Sequence, residues 1–201
     1  MATDTYQTIA APAEGFYKEK GSKFIAYVYE VDSEETVRTC LEEVQKLHNK
    51  ARHYCYAYRI GKDGNRFRAN DDGEPSGTAG RPILGQIDSF GLTNLLAVVV
   101  RYFGGTKLGT SGLKRSYKTA TQDALEQATI IERIVVSSYQ VVFDYVATSA
   151  VMNFIKQEGF AIKSMDYQEK TTLLVQVRQS EAQRFETTLN KIIGVKVEEV
   201  R

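Results

Sequence analysis

Cysteine, histidine and net charge are all scarce in this 201-residue sequence, and each scarcity removes a class of function. Two cysteines, Cys40 and Cys55, cannot frame a disulfide-stapled secreted fold. Two histidines, His48 and His53, give little material for acid–base chemistry. Together the four fall short of a zinc site, since zinc asks for four converging ligands and Cys40 lies about two helical turns from His48. A cysteine nucleophile would need a base and an orienting group, which the sequence does not identify. No cofactor is expected.

Lys and Arg number 26 against 25 Asp and Glu, a net +1. No field of the whole molecule therefore draws it to nucleic acid or anionic lipid, and any electrostatic attraction must be local. The longest apolar run, Leu95–Val100, falls far short of the roughly 20 residues that span a bilayer. The opening Met-Ala-Thr-Asp-Thr-Tyr lacks the basic and apolar stretches of a secretory leader. A cytoplasmic protein with no membrane partner is the expectation.

What remains is an ordinary globular composition, long enough for a buried core in one or two domains. Phe16–Lys20 and Lys23–Val31, rich in aromatic and β-branched residues, predict a hairpin turned at Gly21-Ser22. Asp32, with Glu35 reaching back to it, predicts a capping box. The helix it opens carries Val37, Cys40, Leu41, Val44 and Leu47 on one stripe, which places Cys40 in the core. His53 to Arg59 alternates as a strand, with Tyr54, Tyr56 and Tyr58 on one face and His53, Cys55, Ala57 and Arg59 on the other. Gly61–Gly64 turns into a second strand near Arg66–Ala69. A short helix is predicted over Ile83–Phe90, with Pro82 in its first turn and Gly91 ending it. A buried strand follows at Leu95–Phe103, then a helix over Gly109–Ala128 whose apolar face is Leu113, Tyr117, Ala120, Ala124 and Ala128.

The pattern resets near Glu132–Val136. Beyond it come a strand at Tyr139–Tyr145, a helix from Ser149 closed by Gly159, strands at Phe160–Tyr167 and Leu173–Val177, a helix opened by the capping box Ser180–Gln183 and ended by Gly194, and a last strand at Val195–Val200. That order, βαββαβ in about 65 residues, is the ferredoxin-like split βαβ sandwich. The fold class read from the sequence is α+β, with domains at 1–134 and 135–201.

Two glycine-rich loops bracket the buried strand and carry opposite charge. The first, Asp71-Asp72-Gly73-Glu74-Pro75-Ser76-Gly77-Thr78-Ala79-Gly80-Arg81-Pro82, is acidic. Asp71, Asp72 and Glu74 read either as a turn fixed by Asp side chains and Gly73, paired with Arg81 or Arg101, or as carboxylates for Mg²⁺. The turn is preferred because a full ligand set is missing. In the second loop the backbone leaves the strand through Gly104-Gly105 and starts a helix near Gly109, and Arg101, Lys107, Lys114, Arg115 and Lys118 occur without one acid among them. Helix starts prefer negative side chains, so this inversion points to an external anion at the exposed N–H groups. Neither nucleotide-loop fingerprint fits it. The competing reading is a tight turn with solvated lysines. A second basic cluster, Lys50, Arg52, Arg59, Lys62, Arg66 and Arg68 against Asp63, extends the same sign of charge. The three alternating tyrosines either pack beneath a helix or stack bases, and the first is preferred.

Three blocks, Ala51-Arg52-His53-Tyr54-Cys55-Tyr56-Ala57, the Asp71–Pro82 loop, and Val98–Gly109 with Gly112, Leu113 and Arg115, resemble the IMPACT family, also described as the YigZ family. The resemblance spans about residues 16–128, and the C-terminal module also looks like that of bacterial members. It implies an N-terminal domain similar to the second domain of a small-subunit ribosomal protein and to a tip domain of translocating elongation factors. Eukaryotic members act in translational control by competing for a regulator of the kinase that senses amino-acid starvation, and they carry a partner-binding domain to which the resemblance does not extend. The expectation is an RNA- or ribosome-associated protein modulating translation without catalysis. Arg101, Lys107, Lys114, Arg115 and Lys118 would hold phosphates, with Arg52 and Arg81 as lesser contacts, and Gly104, Gly105 and Gly109 would let the backbone approach. The alternatives are an enzyme acting on a phosphorylated small molecule through Mg²⁺ in the acidic loop, and a protein-interaction regulator.

Overall fold

The structure, a computed structural model, describes residues 4–200. Residues 1–3 and 201, which the expected domain ranges and the leader reading include, lie outside the described residues. The chain divides into two compact units: Tyr6–Arg133, and the stretch from Ile134 onward together with Asp4 and Thr5.

In chain order the first ten elements are β1 (Thr5–Ile9), β2 (Ala13–Glu19), β3 (Ser22–Glu30), α1 (Glu34–Leu47), β4 (His53–Ile60), β5 (Arg66–Asn70), α2 (Gly80–Ser89), β6 (Leu95–Tyr102), α3 (Gly109–Gln127) and β7 (Ile130–Ile134). Five strands form one sheet in the order β2-β3-β6-β4-β5, with each neighbouring pair antiparallel. Strands β1 and β7 pair separately; the sequence reading missed both, because each is short and β7 lies where the apolar pattern resets.

Central strand β6 is buried from Leu95 to Arg101 because both faces of the sheet are covered. Leu95, Ala97 and Val99 pack with Cys55, Ala57, Ile83, Ile87, Leu113 and Tyr117, the side of α2 and α3. Leu96, Val98 and Val100 pack with Tyr58, Val37 and Val44, the side of α1. A strand covered on both faces needs no polar alternation, which explains the unbroken run LLAVVV.

The tyrosine row belongs to the α1 side: Tyr54 and Tyr56 are half-buried against that cluster, and the Tyr58 hydroxyl donates to Glu34 at 2.9 Å. It packs rather than presenting a platform. Three local readings shift. The hairpin turns at Lys20-Gly21, both with positive φ (44° and 81°), and Ser22 is already in β3; two such residues give the turn whose twist matches the strands. The helix cap is Ser33, accepting from the Thr36 N–H at 3.2 Å, while Asp32 accepts from the Thr36 hydroxyl. Leu47 is 65% exposed at the end of α1, and Cys40 is half-buried.

Helix α3 and β2 approach closely at a residue the sequence did not single out. A Cβ on Gly15 would stand 2.2 Å from the Ala124 nitrogen and 2.7 Å from the Ala120 carbonyl oxygen, both backbone atoms that cannot swing aside. Gly15→Ala is expected to destabilise the chain by about 1–3 kcal/mol, the usual cost of forcing volume into a packed contact. Urea unfolding measures it; a midpoint equal to that of the parent would contradict the close approach.

The second unit contains β8 (Val136–Phe143), a single 3-10 turn, α4 (Thr148–Glu158), β9 (Ala161–Tyr167), β10 (Thr171–Arg178), a second 3-10 turn, α5 (Ala182–Leu189) and β11 (Val195–Val200). Its antiparallel sheet runs β11-β8-β10-β9, with the first and third strands of the module side by side at the centre, as in split βαβ folds. Tyr139, Val141 and Phe143 on β8 and Leu173, Val175 and Val177 on β10 meet Val151 and Ile155 of α4 and Phe185 and Leu189 of α5. The α+β class and the ferredoxin-like module are therefore as expected. The Ser180 capping box is not: Ser180 sits in the 3-10 turn and its hydroxyl donates to Asp4, and α5 begins without a side-chain cap. No helix among the described residues is long and apolar enough to cross a membrane.

Candidate functional site

Strand β6 delivers Arg101 and Tyr102 at its end, and the chain then runs through Phe103–Leu108 into α3. Gly104 is needed by the protein itself. A Cβ there would stand 1.9 Å from the Gly21 carbonyl carbon, so the loop lies directly on the β2–β3 turn, and the Gly104 N–H donates to Ser22 Oγ at 3.1 Å. This corrects the expectation that Gly104 opens the backbone to a ligand. Gly105 and Gly109 adopt positive φ of 88° and 69° with nothing near the missing Cβ, so their backbone faces open space.

The start of α3 has no side-chain cap and no acid in its first turn. Lys107, Lys114 and Lys118 are exposed, and none makes an ion pair among the described residues. Burial of Leu113, Ser116, Tyr117, Ala120, Thr121 and Ala124 turns positions 114 and 118, one helical turn apart, to the opposite face. Arg115 is 62% exposed and lies 3.1 Å from Glu19, a surface pair worth little. It stays available.

Arg101 is the correction within this group. Its side chain is 7% exposed, and Nη1 donates to Glu74 Oε1 at 2.6 Å, with the Glu74 side chain 4% exposed. The Tyr117 hydroxyl donates to the same oxygen at 2.8 Å. The guanidinium lies 5.5 Å from the Phe24 ring centroid and 5.6 Å from that of Phe103, and its Nε is buried without a hydrogen-bond partner. Arg101 thus fastens the acidic loop to the end of β6 and is withdrawn from solvent. Taking two charges from water is costly unless they neutralise each other, which Glu74 and Arg101 do.

The remaining carboxylates of the acidic loop serve separate parts of the fold. Asp71 accepts from the N–H groups of Gly77, Ala79 and Gly80 at 2.8–2.9 Å and so closes the start of α2 from a distance in sequence. Partial burial works to raise its pKa, but those three donors and the charge of Arg81 outweigh it and hold the carboxyl below its ordinary value. Asp72, with φ of 38°, accepts from the Tyr54 N–H at 2.6 Å, and its carbonyl meets His53 Nδ1 at 2.8 Å. Three carboxylates that the sequence allowed as Mg²⁺ ligands therefore answer to α2, β4 and Arg101, and do not converge on a common point. Among the described residues no group of three or more His, Cys, Asp and Glu could hold a metal.

Nor do the cysteine and histidines meet. The Cys55 thiol donates to the Asp71 carbonyl at 2.9 Å and lies 3.3 Å from the Tyr117 hydroxyl, and burial pushes it far above its ordinary range, which keeps it a thiol. His48 sits between the hydroxyls of Tyr27 and Tyr102 at 2.7 and 3.0 Å, its pKa lowered by burial.

Two cavities flank the end of β6. One, of about 260 Å³, is lined by Glu74, Pro75, Arg101, Phe103, Lys107 and the start of α3. The other, of about 350 Å³, is lined by Lys50, Ala51, Arg52, His53, Arg101, Tyr102 and Phe103. Of the second basic cluster only Lys50 and Arg52 reach this place, because antiparallel pairing sets His53 opposite Arg101 but Arg59 opposite Leu95, at the other end of β6. Arg59 pairs with Asp88 there. Arg81 is exposed beside Asp71 on α2. Phe103, 59% exposed and shared by both cavities, was missed; an aromatic next to Gly104-Gly105 was the available signal.

Residues 20–125 match the family described as the Impact N-terminal domain, and residues 141–193 match a domain of unknown function, DUF1949. The IMPACT family member YvyE of Bacillus subtilis is 32% identical over 192 residues, 96% of this chain and 88% of that protein. YigZ of Escherichia coli is 34% identical over 182 residues, 90% of this chain and 89% of that one. The Saccharomyces cerevisiae IMPACT homologue is 33% identical over 109 residues, 52% of this chain and 42% of its own length. A crystal structure of a hypothetical protein, 30% identical, superimposes with a TM-score of 0.75 over 99% of this chain and 98% of that one.

Proposed function

The chain belongs to the IMPACT family, and from that premise we propose that it acts in translational control by binding RNA or a ribonucleoprotein. The role in translation is carried over from what the resemblance to eukaryotic members implies, one of which matches about half of this chain. The observation that supports RNA is the exposed set Lys107, Lys114, Arg115 and Lys118 around the uncapped start of α3, in a chain whose overall charge is nearly balanced. Phosphates satisfy both the N–H groups of a helix start and unpaired ammonium groups.

Filter binding to a mixed RNA pool across a salt series tests this. The parent is expected to bind at low salt and to lose affinity steeply as salt rises. Lys114→Ala with Lys118→Ala should lower the log–log slope by about 1.4–1.8, from roughly 0.7–0.9 for each phosphate contact removed. Retention at low salt no greater than that of a neutral control protein would end the proposal.

A further inference from the structure

We propose that Phe103 is a stacking platform for an unpaired base, so that the nucleic acid this chain takes is single-stranded. The inference rests on the RNA-binding reading above and sharpens it. Several large apolar side chains are as exposed as Phe103, at 59%, but Phe103 is set apart by lining both cavities at the end of β6. The Arg101 guanidinium lies 5.6 Å from its centroid and is itself fixed by Glu74, so the ring is steadied from within while more than half of it faces outward.

The charges on either side match a phosphodiester chain. The two cavities share Arg101 and Phe103 and so adjoin across the ring. On one side lie Lys107 and the start of α3, where Gly109 and Thr110 line the wall. On the other lie Lys50 and Arg52, with no acid among the lining residues. Glu74 is the acid lining the first cavity, and Arg101 neutralises it. Lys50, Arg52 and Lys107 are exposed and make no ion pair among the described residues. A strand crossing this place sets a base on Phe103 and its two flanking phosphates toward Lys107 and toward Lys50 and Arg52. Proteins that hold single strands combine a basic track with aromatic faces in this way, and a base inside a duplex cannot offer its face.

The chain has no tryptophan, so Phe103→Trp installs a reporter with no background from other indoles. A short labelled oligoribonucleotide of mixed sequence, alone and paired to its complement, is titrated at low salt into the full chain, Phe103→Ala and Phe103→Trp. The parent should prefer the single strand. Phe103→Ala should lose about tenfold in single-strand affinity, within the range set by base–aromatic stacking, and Phe103→Trp, which keeps an aromatic face against Arg101, separates lost stacking from lost packing. Phe103→Trp should keep the affinity, and its emission should be quenched as the strand binds. Equal binding of duplex and single strand by the parent, with Phe103→Ala unaffected, overturns the platform and leaves the RNA-binding proposal standing. Unchanged Trp emission at saturating strand overturns the platform as well. Absence of any RNA binding by the parent overturns both.

Discussion

Glu74→Gln is expected to destabilise the N-terminal unit by about 3–5 kcal/mol, the cost of leaving one partner of a buried ion pair uncompensated. The exchange keeps the size and the carbonyl oxygen that Arg101 and Tyr117 donate to, but removes the charge. Arg101 is 7% exposed and its Nε already lacks a partner, so little solvent is available to take over from Glu74. The charged guanidinium is then held beside Phe24 and Phe103 with nothing to balance it. Adding Arg101→Met should recover most of the loss, because a well-packed apolar pair is often as stable as the ion pair it replaces. Urea unfolding of parent, both single variants and the double variant gives the coupling between the two sites, expected at about 2–3 kcal/mol for residues in direct contact. A Glu74→Gln midpoint within experimental error of the parent would mean that Arg101 reaches water, and with it the phosphate role the sequence suggested would return.

Asp71→Ala comes next in size. Its carboxylate accepts three backbone N–H groups at the start of α2, and hydrogen bonds to a charged group contribute roughly 1.5–3 kcal/mol each before their non-additivity is allowed for. A loss of about 3 kcal/mol at neutral pH is expected on that basis. Its pH dependence has a definite sign. The folded-state pKa of Asp71 is held below its ordinary value, so its stabilising contribution is complete above the unfolded-state value of about 3.9 and disappears as the pH falls through the lower folded value. The stability gap between parent and Asp71→Ala should therefore be flat from neutral pH down to about 4 and should close below it. A gap unchanged in strong acid would mean that the carboxylate charge contributes nothing there. Hydrogen exchange at the Gly77, Ala79 and Gly80 amides locates the effect, since those are the donors released.

Much of the fold was legible because its elements follow strong periodicities. The stripe on α3 was read from spacing, and the same spacing turns Lys114 and Lys118 outward. The ferredoxin-like module was read from its element order. Misreadings cluster at short-range choices with near-equal alternatives: Ser33 or Asp32 as cap, Lys20-Gly21 or Gly21-Ser22 as turn. There the sequence offers two suitable residues side by side, and the neighbouring strand or helix chooses. Ser180 failed as a cap for a related reason. Its hydroxyl had a better acceptor in Asp4, which lies 176 positions away in the chain.

The candidate site divides along the same line. Local sequence determined that the segment after β6 leaves the sheet at glycine, starts a helix without acids, and carries lysines on the outer face, since these follow from nearest-neighbour geometry. Tertiary structure decided which of the basic residues face solvent. Arg101 and Lys107 look alike in the chain, yet one is closed against Glu74, 27 positions away, and the other is open. A charged side chain does not encode whether its counter-ion will be protein or ligand. Strand register settles it, by setting Arg101 between Phe24 and His53 and beneath the acidic loop, where desolvation leaves no alternative to an internal partner.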